Sequence, residues 1–180
     1  MPIPALDTTI GGASANSYVS LSEADGYFEA RLDGDTWPTF SSNKRTQALL
    51  KAAKRLDQIN WLGARADTAQ ALAWPRVGVA KRDSADVYTS GLDYGFGYPC
   101  GGFGQQYQPT EIPQQVKDAQ CEFAFEFLNG FNDGDEAEVK QFSDDKMSVT
   151  FDRPRQPGEL PAEVSRLISG LTAQNKRVRG

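Results

Sequence analysis

The chain has 180 residues, a formal net charge of -5, 39% hydrophobic residues, 17 Gly and 10 Pro. That length fits one domain with appendages, and the glycine and proline content implies that part of it is irregular. The acidic total argues against a generic nucleic-acid binder, and the lack of histidine removes His-based triads, His metal sites and the commonest proton shuttle near neutral pH. With two cysteines and no histidine, a Cys/His zinc site cannot be built. No metal, no cofactor and no catalytic set is expected, and the chain is read as a non-enzyme. No run approaches the roughly 18 apolar residues of a membrane span, and MPIPALDTT lacks the basic start of a secretory leader, so no membrane contact is expected. Cys100 and Cys121 are read as reduced, the first in a loop and the second partly buried on a helix.

Residues 1–19, with Pro2, Pro4 and Gly11-Gly12, read as an extended N-terminal arm. Ser20 and Glu23 then form a capping box that opens a short amphipathic helix carrying Leu21, Ala24, Tyr27, Phe28 and Leu32 on one side, with Gly34 at its end. Thr36-Trp37-Pro38 predicts a turn. Ser41 or Ser42 caps a longer helix whose apolar stripe is Leu49, Ala52, Ala53, Leu56 and Ile59, with Gly63 as its left-handed stop.

Within residues 64–110, where no long element is expected, Gln70-Ala71-Leu72-Ala73-Trp74-Pro75-Arg76 stands out. The residue before proline disfavours the α region, so this stretch is extended. Trp74 then plugs the core with Trp61 nearby, and Arg76 stands beside the plug, placed to meet a carboxylate. Trp61, Leu72, Trp74, Pro75 and Arg76 are read as a structural latch. The loop 84–110 is dense in glycine and aromatic residues, a composition suited to docking on a partner, with Tyr94, Phe96, Tyr98, Phe103 and Tyr107 as candidate contacts. Gly101–Gly104 lacks the preceding strand and following Lys-Ser/Thr of a phosphate loop.

Pro113 at a first helical position opens a third helix that runs to Asn129-Gly130, with Val116, Ala119, Phe123, Ala124, Phe127 and Leu128 as its stripe and Phe125 on the other side. Alternation of Met147, Val149 and Phe151 with polar residues predicts a hairpin over 139–151. A last short helix starts at Pro161 with Leu160, Val164, Leu167, Ile168 and Leu171 on one face, before a basic tail, 173–180. The expected fold is therefore mainly α: a small bundle of three to four helices in one domain, 20–172, with a β-hairpin and long extended arms or loops.

Charge is segregated. Lys44 to Arg82 holds nine basic and two acidic residues, a net of +7, which leaves -12 for the rest of a chain totalling -5. Lys44, Lys51, Lys54, Arg55, Arg65, Lys81 and Arg82 form a candidate zone facing DNA or an acidic partner.

Four segments taken together, Ser17–Phe28, Leu56–Gly63, QALAWPR and Ile112–Glu122, resemble the head–tail adaptor (connector or head-completion) proteins of tailed bacteriophages, a family whose relatives are often labelled DnaT-like single-stranded-DNA-binding proteins. The resemblance covers roughly residues 14–130. It implies a structural protein of the virion neck, assembled in the host cytoplasm: a homo-oligomeric ring, commonly a dodecamer, that joins the portal protein to the tail or to a tail-terminator or stopper protein, with genomic double-stranded DNA passing through. The alternative expectation is a single-stranded DNA-binding accessory protein of replication, in which Lys51, Lys54, Arg55, Arg65 and Arg76 track phosphates.

Overall fold

The computed structural model describes residues 3–81, 105–131, 141–144, 147–150 and 160–173. Four α-helices, α1 (Leu21–Glu29), α2 (Ser42–Asp57), α3 (Gln114–Leu128) and α4 (Ala162–Ile168), are joined by a 3-10 helix, Gly34–Thr39, and two small antiparallel sheets. The fold is mainly α with a small hairpin, as the periodicities predict. Helix α3 lies against both α2 and α4, and α1 folds back on the 3-10 helix.

Helix α1 begins at the expected capping box: the Ser20 hydroxyl accepts from the Glu23 N–H, and the Glu23 carboxylate accepts from the Ser20 N–H at 2.8 Å. It stops at Glu29, short of the expected Gly34, and Leu32 is 93% exposed instead of joining the stripe. The shortening follows from the 3-10 helix, which replaces the expected turn. It brings Trp37 to stack on Phe28 at 4.3 Å, with the Trp37 indole N–H donating to Asp25. Gly34 is required there, because a Cβ would stand 1.8 Å from the Phe28 carbonyl oxygen.

Ser41 caps α2 by accepting from the Lys44 N–H. Ala48, Leu49, Ala52, Ala53 and Leu56 are buried, and the alanines let α3 approach closely. The helix ends at Asp57 rather than at Gly63; that glycine, at φ +69°, instead shapes the turn into β1 (Ala64–Arg65), which pairs with β2 (Arg76–Val77).

Pro113 is the N-cap of α3 rather than its first residue, and Gly130 (φ +90°) follows the Asn129 C-cap. Three aromatic rings run down this helix's end: Phe123 and Phe127 stack at 4.6 Å, with Phe131 edge-on to both. Phe125 faces the other way, against Phe28, and so joins α3 to α1. In α4, Val164 and Ile168 are buried and Leu171 follows them inward, while backbone bonds between 60–62 and 171–173 tie the end of α4 to Trp61. Strands β3 (Gln141–Asp144) and β4 (Met147–Thr150) pair with each other, inside the expected hairpin bounds.

The first residues are no free arm. Ala15, Ser17, Tyr18 and Val19 are buried, and the Ala71 N–H donates to the Gly12 carbonyl. Gln120 on α3 fastens this segment. Its side-chain oxygen accepts from the Tyr18 N–H at 2.8 Å, and its amide nitrogen donates to the Ser17 hydroxyl and to the Leu49 carbonyl of α2. One buried amide on α3 thus joins the N-terminal segment to α2 and satisfies the Tyr18 N–H, which would otherwise be stranded without water.

Candidate nucleic-acid interface

The latch expected around QALAWPR is present, with its parts redistributed. Leu72, Trp74 and Pro75 are buried, and Trp61 meets Trp74 edge-on at 5.7 Å. The Trp74–Pro75 bond is cis. Gln70 holds the loop from within, donating to the Leu72 and Pro75 carbonyls. Among the described residues Arg76 meets no carboxylate. Its guanidinium instead donates to the carbonyls of Leu62, Gly63 and Ala73. Burial and the neighbouring Arg65 charge lower its pKa, which fits a structural guanidinium. Arg76 is therefore removed from the phosphate-tracking set.

Tyr107, expected to contact a partner, is also a core residue. It is 8% exposed, edge-on to Trp74 at 5.8 Å, and the end of its loop is pinned where the Tyr107 N–H donates to the Val79 carbonyl. Tyr94, Phe96, Tyr98, Phe103, Arg82 and Cys100 lie outside the described residues. Cys121 is buried and unpaired, its thiol pKa pushed up by burial and the carboxylates of Asp118 and Glu122, so it is a poor nucleophile.

The expected basic zone separates into parts. Lys81 forms an ion pair with Glu111 at 2.9 Å, and Arg65 donates to the Gln70 carbonyl. What remains is the outer face of α2. Helical spacing that sends Leu49, Ala52, Ala53 and Leu56 inward puts Lys44, Gln47, Lys51, Lys54 and Gln58 in solvent, with Arg55 at the edge bonding Gln58. The one acid of α2, Asp57, is turned to the body, where the same carboxylate oxygen accepts from the Tyr18 hydroxyl and the Ala73 N–H, each at 2.7 Å. The outer face of α2 thus carries cations and amides with no carboxylate. Among the described residues, Lys44, Lys51 and Lys54 form no ion pair. Lys54 and Arg55 also sit in the last turn, where the helix dipole favours positive charge.

An aromatic ring borders this face. The Lys51 ammonium stands 4.2 Å from the centroid of half-buried Phe127. Sequence periodicity placed Phe127 on the stripe of α3 but gave no sign of which α2 residue it would meet, because that depends on helix packing.

Elsewhere, a cavity of about 200 Å³ is lined by Asp25, Glu29, Trp37 and Arg45. Asp25 is already engaged by the Trp37 N–H and by Arg45, so its charge serves to lock α1, the 3-10 helix and α2 together. Among the described residues no group of His, Cys, Asp or Glu is arranged to hold a metal, and no helix is long and apolar enough to cross a membrane.

Residues 5–90 match a family model described as "Putative DnaT-like ssDNA binding protein". The match spans just under half of the chain and includes the N-terminal segment, α1, α2 and the latch, while α3 and α4 lie beyond it. No curated protein and no solved structure matches the chain.

Proposed function

We propose that this protein is a single-stranded DNA-binding module that holds the strand along the outer face of α2. The observation that carries the reading is the cationic face itself: Lys44, Lys51 and Lys54 exposed, and the helix's only acid turned inward. The similarity of residues 5–90 to a DnaT-like ssDNA-binding family points the same way. A net charge of -5 does not oppose it, since steering is set by the local field, and charges beyond about 10 Å are screened at 0.1 M salt. Titrating a fluorescent oligothymidylate at several salt concentrations tests this. Affinity falls with salt, and each Lys→Gln change at 44, 51 or 54 flattens the log–log slope by about 0.7. Absence of binding at low salt ends the reading.

A second reading keeps the ring-forming neck protein, in which the same face borders the DNA path. Its support is the pattern of residues in Ser17–Phe28, Leu56–Gly63, QALAWPR and Ile112–Glu122 that resembles phage head–tail adaptors. Mass measured by light scattering, alone and with portal protein, decides it; a monomer in both conditions sinks it.

A further inference from the structure

We infer that Phe127 is a base-stacking platform and that Lys51 is its displaceable cover; the inference rests on the single-strand reading above. The ring of Phe127 is held rigidly. Phe123, one helical turn earlier, stacks on it at 4.6 Å with planes 13° apart, and Phe131 abuts it edge-on at 5.7 Å. The Lys51 ammonium lies over the ring, 4.2 Å from its centroid, and Phe123 stacked on one face leaves the other as its place. Nothing else ties Lys51 down: among the described residues it has no ion pair, and its side chain is exposed.

A nucleotide satisfies both halves of this pair. Its base replaces the ammonium on the ring, a neutral π-face against a π-face, and the released ammonium moves to the adjacent phosphate. Stacking of a base on an aromatic ring is the stronger contact, since an exposed cation–π pair competes with full hydration of the ammonium. Lys54 lies one turn beyond Lys51, about 5 Å along the helix, and Lys44 about 10 Å before it, so phosphates on either side of the stacked nucleotide meet a cation. Duplex DNA cannot offer its base faces, so this arrangement selects single strands.

The test uses the full chain, oligothymidylate and a duplex of equal length. Phe127→Leu keeps apolar packing and removes the ring. It is expected to weaken single-strand binding by about 5- to 150-fold, with the salt slope and duplex affinity unchanged, and Phe127→Trp to restore it. Lys54→Gln flattens the slope for both ligands. In wild-type protein, the Lys51 ε-methylene protons are shifted upfield by the Phe127 ring, and saturating oligothymidylate releases that shift. Unchanged single-strand affinity in Phe127→Leu, or a Lys51 signal that does not move at saturation, overturns the platform while leaving DNA binding by α2 intact. Failure of wild-type protein to bind at all overturns the underlying reading instead. If Phe127→Leu does not fold, the wild-type Lys51 signal alone decides.

Discussion

At the scale of single residues, three polar groups of decreasing burial, Gln120, Arg76 and Glu23, hold the fold together. Gln120 is the most exacting, because its amide serves Tyr18, Ser17 and Leu49 at once. Replacing it with leucine preserves volume but strands the Tyr18 N–H, while the Leu49 carbonyl keeps its intrahelical bond. A loss of about 2 kcal/mol in urea-induced unfolding is expected, since a buried unmade bond costs about 1–3 kcal/mol. A loss below about 1 kcal/mol would mean that water reaches the site. Nothing in the sequence marks Gln120: it sits among Val116, Ala119 and Phe123 at a position where an apolar residue is the ordinary choice. Arg76 was legible as a fixed cation, yet its partners were not, because backbone carbonyls leave no trace in a sequence. Glu23 supplies a pH dependence. Bonds from the Ser20 backbone, and then the Lys117 ammonium, lower its pKa below the usual carboxylate value. A depressed carboxylate stabilises the fold above its unfolded pKa, and that contribution is lost as pH falls through the folded one. The stability advantage of wild type over Glu23→Ala is therefore full at pH 7 and shrinks below about pH 4.5, as chemical unfolding at stepped pH can follow. Half-exposure and solvent screening keep it to about 1 kcal/mol or less.

Among the elements, boundaries set by local chemistry were readable and those set by packing were not. The capping box of α1, the Ser41 cap of α2, the C-terminal Gly130 of α3 and the hairpin's alternation all follow from residues within a few positions of each other. The end of α1 does not. Trp37 must reach Phe28 and Asp25, and that demand bends residues 34–39 into a 3-10 helix, leaving Leu32 outside. Gly63 was rightly read as left-handed but assigned to the wrong element, since a glycine signals its own φ and not what it terminates. Its role in the β1 turn is strict. At φ +69° with a Cβ only 2.2 Å from the Val77 carbonyl oxygen, Gly63→Ala suffers both backbone strain and a collision with backbone. A destabilisation of about 2–4 kcal/mol is expected, read as a lowered Tm; an unchanged Tm would show that β1 and β2 can part without cost.

Across the whole molecule, charge segregation was visible in the sequence, whereas the uncompensated face it leaves on α2 was not. Counting Lys44 to Arg82 gives the surplus, but only the folded chain shows that Arg76 and Lys81 are spent internally and that Asp57 is withdrawn. It also takes tertiary packing to set Phe127, 76 positions from Lys51, against that face. The three-way fastening by Gln120 has a consequence for how the chain can be divided. The recognisable stretch, residues 5–90, contains α2 and the buried Tyr18 but neither Gln120 nor the α3 surface that covers them. Cut there, the fragment would expose the Leu49–Leu56 stripe and leave the Tyr18 N–H without its Gln120 partner. It should show no cooperative melting and should bind a hydrophobic dye, whereas residues 3–173 should melt cooperatively. In this chain the stretch that matches the family pattern is thus half of a structural unit, whose other half, α3 and α4, lies beyond residue 90.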